Sequence, residues 1–126
     1  MEYRNYVDHA AALKFIDDGD LADALVKATL GLVVSRLPER AAVEMAAALP
    51  QPLDYERLRG HQAGADELSL DEMLGVLADQ FAISTEQARE AAAGILGLAH
   101  EDLGPRRSEQ VQRQLPGDWS QLFGAG

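Results

Sequence analysis

One punctuation pattern occurs twice in the chain. Leu37-Pro38-Glu39-Arg40 opens a stretch that closes at Leu49-Pro50, and Leu103-Gly104-Pro105-Arg106 opens one that closes at Leu115-Pro116. Proline fixes its own φ and lacks an amide proton, so it stops the helix behind it and suits the first turn of the next. Sliding the chain by 66 residues superposes the halves without a gap: Phe15 falls on Phe81, Ala22 on Ala88, Leu30 on Leu96, Gly31 on Gly97, Leu37 on Leu103, Arg40 on Arg106 and Pro50 on Pro116. A unit of roughly fifty residues buries little surface alone, and two units can cover each other's apolar faces. The repeat therefore predicts an all-α fold, a compact helical array of two similar three-helix halves related by pseudo-twofold symmetry. The expected halves are residues 1–58 and 67–123 of a single domain, joined by a linker at 59–66 that holds two glycines and no periodicity.

Apolar spacing places the helices. Tyr3, Val7, Ala11 and Phe15 recur every four residues along one face. Asp17-Asp18-Gly19-Asp20 interrupts that row, with Asp20 placed to cap the following helix. From Leu21 to Leu37 the stripe Leu21, Leu25, Ala28, Leu32 is widened by Val26, Leu30, Val33 and Val34, which marks a central helix. Pro38 reads as the first residue of the third helix, and Leu53 to Leu58 as one short turn, six helices being expected in all. Ser69-Leu70-Asp71-Glu72 and Ser84-Thr85-Glu86-Gln87 are capping boxes, in which hydroxyl and acid or amide satisfy two free backbone amides. Pro105 starts a further helix, and Asp118 caps a last turn bearing Trp119, Leu122 and Phe123. Gly31 and Gly97 each cost about 1 kcal/mol relative to alanine, which a close crossing of the two central helices would explain.

Charge narrows the partners. The chain of 126 residues carries a net charge of −10, and both halves are acidic. Nucleic-acid binding relies on cationic side chains that displace counterions, so neither nucleic acid nor an anionic membrane is expected as a partner. No apolar run approaches the ~20 residues of a membrane span, and Met1 to Asn5 lacks the basic start of a secretory signal. With no cysteine, thiolate metal sites and cysteine nucleophiles are excluded. The expectation is a soluble, cytoplasmic protein.

The order Arg36-Leu37-Pro38-Glu39-Arg40-Ala41-Ala42, Ala47-Ala48-Leu49-Pro50, Leu70-Asp71-Glu72-Met73-Leu74 and Gln114-Leu115-Pro116 resembles the bacterial domain of unknown function 2267 family. The resemblance covers nearly the whole chain. It implies a helical fold and carries no activity or catalytic residues with it. The family tends to have a basic and aromatic stretch after the first Leu-Pro, where this chain reads Gln51-Pro52-Leu53-Asp54-Tyr55.

No constellation of residues points to a reaction. Ser69 follows Leu68, whereas the modified serine of an acyl carrier follows aspartate, so Ser69 reads as a helix cap. An EF-hand loop centred on Gly19 would need Lys14 and Leu25 as ligands, which neither can be. His9, His61 and His100 have no metal-ligand spacing. No catalytic residue, cofactor or metal ligand is expected. The one local reversal of charge is Arg106, Arg107 and Arg113, interleaved with Gln110, Gln112 and Gln114. Arg106, Arg107, Gln110 and Arg113, with Trp119 of the aromatic terminus, are the candidate partner-binding residues. The chain thus reads as a non-enzymatic helical protein-interaction module, self-associating through the Asp17 to Asp23 corner of another copy or binding a different protein. The alternative is a small-molecule-binding or carrier-type helical protein.

Overall fold

The computed structural model of the chain describes residues 2–61, 69–115 and 117–125, and among them it is all-helical. Seven helices follow in order: α1 (Tyr3–Ala11), α2 (Gly19–Arg36), α3 (Glu39–Ala47), α4 (Tyr55–His61), α5 (Leu70–Phe81), α6 (Thr85–Gln114) and α7 (Gly117–Ala125). The expected count of six differs because the helices expected on either side of Gly104 run as one bent α6, while the segment after Pro50 and the last turn fold further, into α4 and α7. Asp54 accepts a hydrogen bond from the Arg57 amide at 2.9 Å, and Leu53 and Leu58 are fully buried, so α4 is capped and anchored on α2 and α3. α4 also takes in residues 59–61 of the segment expected to be a linker; from residue 62 that segment lies outside the described residues.

Helix starts follow side-chain chemistry, with shifts at α2, α3 and α7, where Asp118 lies inside the first turn rather than at the cap. Both serine capping boxes form, Ser69 with Glu72 and Ser84 with Gln87. The cap of α2 is Asp18 rather than Asp20: its extended backbone brings the carboxylate to the Leu21 amide at 2.7 Å, and Asp20 falls inside the first turn. There its charge still favours the positive end of the helix dipole. Pro38 sits one residue outside α3, at the N-cap, because its ψ of 148° is extended. Glu72, whose carboxylate accepts from the Ser69 amide, is held below the usual glutamate range by that hydrogen bond.

Two helices carry the core. α2 packs against α1, α3, α4, α5 and α6, while α6 packs against α1, α2, α3, α5 and α7. Leu25, Val26, Leu30, Leu32 and Val33 of the first and Ala91, Ile95, Leu96 and Ala99 of the second are buried in one cluster. Gly31 and Gly97 are both buried on these touching helices.

α6 is bent. Gly104 takes φ 78° and ψ 170°, a conformation essentially confined to glycine, and Pro105 behind it has no amide to give the preceding turn. Buried Ser108 donates to the His100 carbonyl across the break at 3.0 Å, which ties the two arms of α6 together. Residues 105–114 thereby swing onto α3, with which α6 is in contact.

Glycine to alanine should consequently act in opposite senses at two helical sites. At Gly75, within α5, an added methyl meets nothing, so Gly75→Ala is expected to raise stability by about 1 kcal/mol. At Gly104 the positive φ makes the same change cost about 1–3 kcal/mol. Urea unfolding followed by circular dichroism reads both.

Candidate groove between α3 and the last arm of α6

The bend at Gly104 sets two short helical segments side by side and leaves an open groove of about 770 Å³ between them. One wall is α3, with Pro38, Arg40, Ala41, Glu44, Met45 and Ala47; the other is Leu103, Arg107, Gln110, Val111 and Gln114. Met45, Leu103 and Val111 are buried and make an apolar floor, while Arg40, Glu44, Arg107, Gln110 and Gln114 are exposed at the rim. Arg40 lies 3.7 Å from Glu44 in an exposed pair, a contact of small worth. Arg107 makes no ion pair among the described residues. Guanidinium and carboxamide groups bind rather than react, and the rim suits carboxylates above all, which a guanidinium can take with two parallel hydrogen bonds.

The structure sorts the residues that the sequence singled out. Arg107 and Gln110 line the groove. Arg106 is exposed on the adjoining face, and Arg113 is spoken for by Glu109, one turn earlier. Trp119 is removed from any partner surface: it is 3 % exposed and lies in the core with Leu122 and Phe123, because α7 folds back onto α6 and sets Phe123 against the His100 ring at 5.5 Å. The α3 wall was missed by charge reasoning. A signal for it existed, since the 66-residue shift pairs Ala41 with Arg107, Glu44 with Gln110 and Met45 with Val111.

Away from the groove, two tyrosines fasten α1. Tyr6, fully buried, donates to Asp102 on α6 at 2.6 Å, and Tyr3 donates to Asp23 on α2. Burial raises both phenols well above their ordinary value of 10, and the carboxylate each one touches raises them further. Asp23 is also held by Lys27 at 3.0 Å. His9, at the end of α1, is exposed with its ring against Gly94, where any side chain would overlap it. Among the described residues no group of three or more acids and histidines could hold a metal ion.

A small crevice lies deeper, where α2, α5, α6 and α7 meet. Its lining is apolar except for Thr29 and Trp119, whose Oγ1 and Nε1 atoms have no hydrogen-bond partner. It is too narrow for anything larger than a water molecule.

Comparison with known proteins adds one finding. The family described as Uncharacterized conserved protein (DUF2267) matches residues 3–122. Neither a curated protein nor a solved structure matches the chain. No helix among the described residues is long and apolar enough to cross a membrane.

Three substitutions probe these polar groups. Tyr6→Phe removes a buried hydrogen bond to the Asp102 carboxylate and should cost about 1–2 kcal/mol at neutral pH. Because the folded state holds both phenolic protons more tightly than the unfolded chain, their contribution is fully present below pH 10 and declines as pH rises beyond it. Denaturant midpoints measured from pH 8 to 11 should fall more steeply for the parent than for a Tyr3→Phe/Tyr6→Phe variant. Thr29→Val keeps the shape and removes an unpaired hydroxyl, so it is expected to stabilise by about 1 kcal/mol in the same assay.

Proposed function

The chain belongs to the DUF2267 family of uncharacterized conserved proteins, and from that premise we propose that it is a non-enzymatic helical interaction module whose docking site is the groove between α3 and residues 105–114. The observation that carries this reading is the groove itself: an apolar floor flanked by Arg107 on one wall and by Arg40, with Glu44 beside it, on the other, on a chain whose net charge is −10. Screening at physiological ionic strength acts over about 8 Å, so a ligand seated in the groove responds to those arginines more than to the acidic body behind them. An acidic segment with apolar residues on one face fits both features, in the manner of a helix laid into a groove.

Two related halves would give the groove its place. Exchanging α1 with α5, α2 with α6 and α4 with α7 maps the packed pair α1 and α2 onto α5 and α6, α2 and α4 onto α6 and α7, and α1 and α6 onto α5 and α2. The cap residues Asp18 and Ser84 also stand 66 apart. Such a pattern supports two related halves with a pseudo-twofold axis, and the groove walls, drawn from equivalent segments, would face each other across it. A cytoplasmic setting accords with the lack of cysteine.

The test is a pair of model peptides, each about four helical turns long with leucines at i, i+3 and i+4, one carrying glutamates at the remaining positions and the other lysines. Titrated into the labelled full chain, the glutamate peptide should shift the Met45 and Val111 methyl resonances saturably and the lysine peptide should not. Arg107→Glu should weaken that binding at least tenfold. Shifts elsewhere, equal shifts with both peptides, or indifference to Arg107→Glu would reject the groove as the docking site.

A further inference from the structure

We infer that the occupant of this groove is a second copy of the chain, which inserts the corner formed by Asp17, Asp20 and Leu21 at the start of α2; the inference rests on the groove reading above. The corner projects an exposed leucine between carboxylates, which complements an apolar floor whose rim holds Arg40, Arg107 and one acid, Glu44. Leu21 and Val43 are the large hydrophobic side chains left exposed among the described residues, and Leu21 is 37 % exposed within the run Asp17-Asp18-Gly19-Asp20-Leu21. Asp17 and Asp20 beside it are exposed as well, whereas Asp23 is engaged by Tyr3 and Lys27 and belongs to the body of the molecule. An apolar side chain bracketed by carboxylates meets an apolar floor bracketed by arginines, Leu21 toward Met45 and Val111, and Asp17 and Asp20 toward Arg40 and Arg107.

Geometry decides between copies and between modes of pairing. The 18 residues of α2 span about 27 Å, with the corner at the helix's N-terminal end and Pro38, where the groove begins, just past its C-terminal end. A chain therefore cannot reach its own groove with its own corner. Pairing groove against groove would set two apolar floors facing each other across polar rims, with no projecting apolar side chain to fill either. A corner-to-groove contact is head-to-tail, so each added copy leaves one corner and one groove free and assembly grows with concentration. The contact is small and transient, of the class that buries less than about 1,200 Å².

Complementation of two damaged chains tests this. Arg107→Glu spoils the groove and leaves the corner, and Leu21→Glu spoils the corner and leaves the groove. Both positions are exposed, and retained helicity by circular dichroism confirms that each variant folds. In sedimentation equilibrium at 0.15 M salt, up to about 1 mM, the parent chain should gain mass continuously and each variant should stay at the protomer mass. An equimolar mixture of the two should reach about twice the protomer mass and stop, because the remaining groove and corner both carry a new glutamate. A monomeric parent, a variant that still assembles alone, or a mixture that stays monomeric would each overturn the second-copy occupant. The groove reading would survive those results if the glutamate peptide still binds in an Arg107-dependent way, and it would fall separately if that peptide fails.

Discussion

Burial of every residue of α2 from Ala28 to Val34 leaves this part of the helix no solvent face, so cover has to come from the helices packed on it, α1, α3, α4, α5 and α6. α6 makes the reciprocal demand through Ala91, Ile95, Leu96 and Ala99. Full burial of one leucine or valine contributes about 1.5–3 kcal/mol, against about 0–1 kcal/mol for an exposed ion pair such as Arg4 with Asp8 or Arg40 with Glu44. The apolar contacts of these two helices therefore set the architecture. The surface ion pairs only decorate it.

Polar groups then fix what packing alone leaves loose. Tyr6 and Tyr3 tie α1 to both central helices through Asp102 and Asp23, so a nine-residue helix too short to persist alone gains a defined position. Ser108 plays a similar part at the bend of α6, where its hydroxyl joins the two arms through the His100 carbonyl. The bend is what makes a groove. Without Gly104 and Pro105, residues 105–114 would continue straight, and Arg107 would not share a cleft with Arg40.

Much of the helical layout was legible because its signals are local. The two capping boxes act over three residues, and they formed as read. Where a second residue could do the same job, locality failed: Asp18 and Asp20 both suit a cap, and only the backbone path out of the preceding loop selects Asp18. The site was half legible. Arg107 and Gln110 stood out by charge, while Glu44 and Met45 across the cleft looked like an ordinary amphipathic face. Trp119 misled because an aromatic near the end of a chain carries no mark of whether its helix turns inward. It faces a crevice whose other walls come from α2, α5 and α6.

By itself the sequence determined an all-helical chain and most of its breaks, since periodicity, caps and prolines act through neighbours one to four residues away and need no knowledge of the rest. Its −10 charge likewise followed from counting. Only the tertiary structure decided that Tyr6 reaches Asp102 across 96 positions, that Trp119 is interior, and that α3 and residues 105–114 lie side by side with a cleft between them. Those outcomes depend on which apolar faces find each other, and that choice is made by the fit of whole helices rather than by any short stretch of chain.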